Sequence, residues 1–205
     1  MIIKRMESGI LAANTYFVCD EESKKGFLVD PGGRNDNMVN FIAECGCTPE
    51  YIILTHGHCD HMAGVPFYKE LFPEIKVVAC AAEKEVLADP NQNFCRMIGQ
   101  TISMEADIWV NDGDALTVGG MELKFLHTPG HSPGGMCISV GDILLSGDTL
   151  FKNSIGRTDF PNASFEDLKN AVHEKIFVLP DETRVFPGHM GETTVGFEKR
   201  NNPFV

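Results

Sequence analysis

A chain of 205 residues with 43% hydrophobic and 22% charged side chains has the size and balance of one globular domain, which excludes disordered, fibrous and collagen-like classes. Seventeen Lys and Arg stand against 29 Asp and Glu, a formal net charge of −12; such a surface repels nucleic-acid phosphates and anionic lipid, so neither nucleic acid nor membrane is expected as a partner. No apolar stretch is long enough to span a bilayer, and charge at Lys4 and Arg5 interrupts the N-terminus where a secretory segment would be apolar, so a cytoplasmic location is expected. The seven cysteines are odd in number, scattered and without a CxxC pair, which predicts reduced thiols acting mostly as small core hydrophobes.

In chain order, Asn14–Cys19 and Gly26–Val29 are β-like runs about a turn at Asp20–Lys25, and Asp30-Pro31-Gly32-Gly33 forces another turn. Met38, Val39, Phe41 and Ile42 give residues 35–44 a helical spacing, with Cys45 and Cys47 as small residues at the helix end. Tyr51–Leu54 is a continuous apolar run, as expected of a strand covered on both faces. Helices are predicted over 62–72 and over 164–176, the second capped by Ser164 with Asp167 three residues on. Met121–Leu126, Met136–Val140, Ile143–Leu145 and Arg184–Phe186 are predicted strands. Residues 89–106 show no clear period. Strands interspersed with helices make an α/β domain with helices on sheet faces.

Four predicted strands run into metal-ligand residue types. Tyr51–Leu54 leads to Thr55-His56-Gly57-His58-Cys59-Asp60-His61, and Met121–Leu126 to His127-Thr128-Pro129-Gly130-His131. Ile143–Leu145 leads to Ser146-Gly147-Asp148, and Arg184–Phe186 to Pro187-Gly188-His189. Ligands at the carboxyl ends of strands match where open α/β sheets place their sites. A His-x-His-x-Asp-His run arises by chance in about one chain in 2,000 of this composition. Divalent ions such as zinc take three or four N, O or S ligands; His56, His58, Asp60, His61, His131, Asp148 and His189 are too many for one ion and suit two sharing a carboxylate. His56 and His58 point the same way on an extended segment, while Asp60 and His61 follow a turn and reach a neighbouring position. The residues alone leave open whether His131 or His189 joins the first pair.

This order of ligands resembles the metallo-β-lactamase superfamily over nearly the whole chain. Within it, Gly147-Asp148-Thr149-Leu150-Phe151 and the ending Glu198–Phe204 are similar to glyoxalase II (hydroxyacylglutathione hydrolase) and its short bacterial relatives. The resemblance implies a four-layer αβ/βα sandwich of two mixed sheets. It also implies one such domain over residues 1–205, without the extra C-terminal helical domain of full-length glyoxalase II. It assigns His56, His58 and His131 to a first metal, Asp60, His61 and His189 to a second, and Asp148 to the bridge. The expected cofactors are two divalent ions, zinc first, with iron or manganese also suited to these ligands.

The expected activity is therefore hydrolysis of a small-molecule thioester, such as an S-2-hydroxyacylglutathione, by a metal-bridging hydroxide. Asp60 is a candidate proton shuttle, and a thiolate leaves without strong acid help. By resemblance Arg157, in Gly156-Arg157-Thr158-Asp159-Phe160, is a candidate for binding an anionic substrate. His127 is expected to be structural, His173 to lie on the surface, and Cys59 to alternate away from the ligands. The rival readings are a mononuclear iron persulfide dioxygenase using His56, His131 and Asp148, which that same Gly156–Phe160 segment also resembles, and a hydrolase of other esters, lactones or phosphodiesters.

Overall fold

The computed structural model describes residues 1–205. Six strands make a first mixed sheet in sequential order: β1 (Ile2–Ser8), β2 (Ala13–Cys19), β3 (Lys25–Val29), β4 (Thr48–Ile53), β5 (Lys76–Cys80) and β6 (Ile108–Val110). The first three are antiparallel, and β3 through β6 run parallel. A second mixed sheet holds β7 (Ala115–Val118), β8 (Met121–His127), β9 (Met136–Val140), β10 (Ile143–Gly147), β13 (Arg184–Pro187) and β14 (Thr193–Thr194), in the order β14-β13-β10-β9-β8-β7. Its single parallel pair is β10 with β13. Between them in sequence, β11 (Leu150–Phe151) and β12 (Ser154–Ile155) form a small hairpin.

Alternation along the strands explains the layers, because successive side chains face opposite ways. Tyr16, Val18, Phe27, Val29 and Ile53 point inward and meet Leu123, Phe125, Ile138, Leu145 and Phe186 of the second sheet. Their neighbours Phe17, Leu28 and Ile52 point outward into a separate core under α1 (Asp36–Cys45), α2 (Cys59–Met62), α3 (Val65–Leu71) and α4 (Lys84–Ala88). On the far side, Leu144 and Val185 pack against Leu168 of α5 (Phe165–Ala171) and Val195 of α6 (Val195–Asn201). The result is helix, sheet, sheet, helix. With both faces covered, every residue of β2 is buried, the polar Asn14 and Thr15 included.

The helix limits follow local chemistry. Asn35 caps α1 by accepting from the Met38 N–H, and Gly46 ends it in the left-handed region at φ 63°. Ser164 caps α5 by accepting from the Asp167 N–H, as expected, and the helix passes into a π turn at Val172–Ile176. The helix expected over 62–72 is instead two pieces, starting earlier. Gly64 donates to the Pro31 carbonyl at 2.7 Å, an approach that a Cβ at this position would obstruct, and a proline in the first turn restarts the helix.

Strand β1 was not foreseen, because it is a partly exposed edge strand with charged Lys4, Arg5 and Glu7. The segment 89–106 has little regular structure beyond a turn at Cys95–Ile98. It is organised around the buried Asn93 side chain, which donates to the Leu87 and Ile102 carbonyls and accepts from the Cys95 N–H. No helix is long and apolar enough to cross a membrane.

One expectation is overturned. Cys19 and Cys47 form a disulfide, so not all thiols are reduced. Cys19 ends β2 and Cys47 precedes β4, and the β3 strand between them brings the two together across 28 residues of sequence, which no Cys spacing reveals. By loop-closure entropy this link contributes about 3.6 kcal/mol. Denaturant unfolding of metal-free protein is expected to lose about that much on reduction or in Cys47→Ser; an unchanged midpoint would show the bond to be energetically idle.

Candidate metal centre

Strands β4, β8, β10 and β13 all deliver chain to one edge of the sandwich. The β4 end carries Thr55, His56 and His58, and the one-turn helix α2 adds Asp60 and His61. From the opposite sheet come His131 after β8, Asp148 after β10 and His189 after β13. All seven residues named from the sequence meet here. His56, His58 and His131 offer ligand atoms within 4.8 Å of one another, as do Asp60, His61 and His189. His58 Nδ1 lies 3.0 Å from His131 Nε2, and His61 Nε2 lies 3.4 Å from His189 Nε2. The Asp148 carboxylate touches both groups, 3.6 Å from Nε2 of His131 and of His189 and 3.4 Å from that of His61.

The rings are held from behind. Asp30 accepts from the Thr55 N–H and hydroxyl at 2.8 and 2.6 Å and from His61 Nδ1 at 2.9 Å. With its hydroxyl hydrogen given to Asp30, Thr55 Oγ1 accepts from His56 Nδ1 at 3.1 Å. His131 Nδ1 donates to the Arg157 carbonyl at 2.8 Å. Each of these three rings therefore turns Nε2 toward the centre, the arrangement that fixes metal-ligating imidazoles. His56 Nε2 and Asp148 Oδ1 are buried and unpartnered by any hydrogen bond, a costly state unless a cation sits there. Gly188 is required by close approach: a Cβ would run into the Asp148 carboxylate and the His61 ring.

Electrostatics divides the donors the same way. Burial, reinforced by neighbouring histidines, pushes His56 and His58 well below the ordinary imidazole value, and burial lowers His131 despite Asp148. Burial also opposes charge on His61, yet Asp148, Asp60 and Asp30 outweigh it and push it up to about 10. His189 is raised as well, burial being outweighed by Asp60 and Asp148. Burial resists ionisation of Asp60, but His61 and His189 hold it below the usual carboxylate range. One group is thus neutral imidazole and the other a carboxylate–imidazolium cluster, and both donor sets suit divalent ions.

Two supporting residues escaped the sequence reading. Asp30 looks like part of a turn, although it ends β3 just as the ligands end their own strands, and that position is the signal that identifies it. Glu83 is fully buried, and burial raises its pKa. Its two oxygens accept from the Gly57 N–H at 2.8 Å and the Gly134 N–H at 2.5 Å, joining the His56–His58 segment to the loop that carries His131. His127 braces that loop through the Pro133 carbonyl, and His173 is exposed. The Cys59 sulfur pairs with Cys95, 2.6 Å away.

A cavity of about 720 Å³ opens onto His58, Asp60, His131, Asp148 and His189. Arg157 lies on its wall, its guanidinium paired twice with Asp159 at 2.9 and 2.8 Å and stacked 4.6 Å from the Phe160 ring centre.

A layered αβ/βα frame with histidines and aspartates converging from both sheets defines a divalent-metal site at the sandwich edge. The chain belongs to the metallo-β-lactamase superfamily, whose family model matches residues 8–189. It is 32% identical to the hydroxyacylglutathione hydrolase GloC of Haemophilus influenzae, over 94% of this chain and 92% of that one. The crystal structure of the BLEG-1 B3 metallo-β-lactamase superposes with a TM-score of 0.91 at 34% identity, covering 99% of each chain. A di-iron-bound form of TTHA1623 superposes at 0.85 with 31% identity, covering 98% of this chain and all of that one.

Two outcomes are expected. Asp30→Ala should weaken metal retention by roughly 10- to 100-fold, measured by competition with a chelator; unchanged retention would remove Asp30 from the site's support. At pH 7 the three neutral histidines have no proton to lose, whereas His61, raised to about 10, must give one up to bind a metal. Calorimetry in buffers of different ionisation enthalpy should therefore detect proton release for one ion and almost none for the other, with affinity for the releasing group rising as pH rises toward 10.

Proposed function

We propose that the protein is a metal-dependent hydrolase that holds two divalent ions per chain, zinc in the first instance, and cleaves small-molecule thioesters. The observation that carries this reading is the division of the donors into a three-histidine group and an Asp60–His61–His189 group with the Asp148 carboxylate against both. A single ion would leave half of these buried groups without a partner. The di-iron form of a structural relative supports the count.

In this reading His56, His58 and His131 would hold one ion and Asp60, His61 and His189 the other, with Asp148 available to both. Divalent ions held there supply Lewis acidity toward a carbonyl oxygen and lower the pKa of water toward neutrality. Asp60, which faces the cavity, would be the group placed to shuttle a proton from water held there. Thr55, Asp30 and the Arg157 carbonyl keep the imidazoles oriented.

The leaving group decides the substrate class. Apart from the ligands, the titratable side chains on the cavity wall are Arg34, Arg157 and Cys59, and the Cys59 sulfur is engaged with Cys95. None is a free acid at neutral pH. A thiol of pKa about 8.5 departs as thiolate without one, whereas an alkoxide or amine requires protonation. The activity named for GloC supports the same class.

Elemental analysis of protein purified without added metal or chelator is expected to find near two ions per chain. His58→Ala and Asp60→Ala should lower thioesterase kcat/KM by more than the roughly 100-fold seen when supporting residues are lost, with loss of bound metal. One iron per chain with oxygen consumption would replace this reading by the mononuclear dioxygenase, and turnover of β-lactams in preference to thioesters would replace the substrate class.

A further inference from the structure

We propose that the substrates are thioesters with an apolar, medium-length acyl chain, held by a hydrophobic cleft mouth; the inference rests on the hydrolase reading above and names its substrate class.

The first observation is where apolar surface is left exposed. Nine large hydrophobic side chains are exposed in the molecule, and four of them line this one cavity: Ile10, Leu11, Met97 and Met190, at 68%, 59%, 81% and 57% exposure. Exposed hydrophobes are ordinarily scattered singly, and a contiguous group marks a binding surface. They arrive on three separate segments, the β1–β2 turn, the turn at Cys95–Ile98 and the residue after His189, so no single strand or helix pattern produces the clustering. Deeper in, Phe94 and Phe160 pack 4.8 Å apart and lie 4.8 and 5.3 Å from the His58 ring. Apolar wall therefore runs from the rim to the ligands.

The second observation is charge. Arg34 and Arg157 are the cavity's only lysine or arginine side chains. Arg34 is paired with Asp36 at 3.0 Å and sits over the Phe67 ring at 5.0 Å. Arg157 is paired with Asp159 and sits over Phe160. Each cation is matched by a carboxylate two residues on, in a chain of net charge −12. A thiol carrier bearing two carboxylates, such as glutathione, would have to displace Asp36 or Asp159 to pair with a cation of this wall. The volume of about 720 Å³ lies within the range of small-ligand pockets and exceeds the needs of a short hydroxyacyl group.

The test uses the metal-loaded protein and a series of thioesters of one uncharged thiol, from acetyl through butanoyl and hexanoyl to octanoyl, with S-lactoylglutathione alongside. Binding of the matching non-hydrolysable thioethers is measured in parallel by calorimetry. Burial of each methylene is worth about fourfold, so kcat/KM and thioether affinity should both climb by about that factor per added methylene until the cavity is filled. Met97→Asn and the double variant Ile10→Asn with Leu11→Asn alter exposed positions, and they should flatten that slope. A flat or falling series, or S-lactoylglutathione preferred over the octanoyl thioester, overturns the proposal. A rising thioether series with no turnover of any thioester, acetyl included, overturns the hydrolase reading while upholding the apolar class.

Discussion

Five imidazoles and two carboxylates are brought together at one largely buried point, and the rest of the structure is arranged around making that tolerable. Buried polar atoms without partners are expensive, and His56 Nε2 and Asp148 Oδ1 have no hydrogen-bond partner. His58 Nδ1 and His131 Nε2 lie 3.0 Å apart, and with both rings neutral they relieve one another only by one spending its N–H on the other. A divalent cation answers both problems, since every ring presents a donor atom toward the others. Without metal, the His61 and His189 side of the centre is held by Asp30, Asp60 and Asp148, and the three-histidine side by the covalent frame and supporting hydrogen bonds.

That frame explains why the site sits at a sheet edge. Donors on one sheet could be brought together by neighbouring strands, but here they come from two sheets packed face to face. The inter-sheet core of Tyr16, Phe27, Phe125 and Phe186 sets the sheet separation and hence the gap between the two halves of the site. Tyr16 adds a direct tie, its hydroxyl donating to the Pro187 carbonyl at 2.7 Å, while Asn14 donates to the same carbonyl at 2.8 Å. Both contacts lie two residues before His189. Glu83 makes a comparable tie between the His56–His58 segment and the His131 loop. Core packing and ligand geometry are therefore coupled, and a change well away from the metal donors can alter the site.

The donors were legible from sequence because their types are rare and their positions regular: each follows a predicted strand. The class was legible as α/β because β-like runs such as Asn14–Cys19 and the covered strand Tyr51–Leu54 are interspersed with helical spacings. The supporting residues were less legible. Asp30 and Glu83 are ordinary acidic residues whose role depends on which backbone N–H groups and rings the fold brings to them. Strand β1 was hidden by its exposure at an edge, and the Cys19–Cys47 bond by the strand that separates its partners. Residues 89–106 have no period because one side chain, Asn93, supplies hydrogen bonds that a helix or strand would have made internally.

The two halves of the cleft differ in how they are built, and that difference assigns their roles. The metal side is made by strand ends locked into continuous sheets, with rings fixed through Asp30, Thr55 and the Arg157 carbonyl. Such a framework constrains donor positions and therefore which ions and which reaction are possible. The substrate side is made by the β1–β2 turn, the segment around Phe94–Ile98 and the stretch from Arg157 to Phe160, all outside the two large sheets. Loops of this kind change residue type without disturbing strand register. The apolar rim of Ile10, Leu11, Met97 and Met190 belongs to this loop-built half. Substitutions there alter the cleft mouth without moving the donors, which is why the proposed acyl preference is argued from the rim and not from the metal donors.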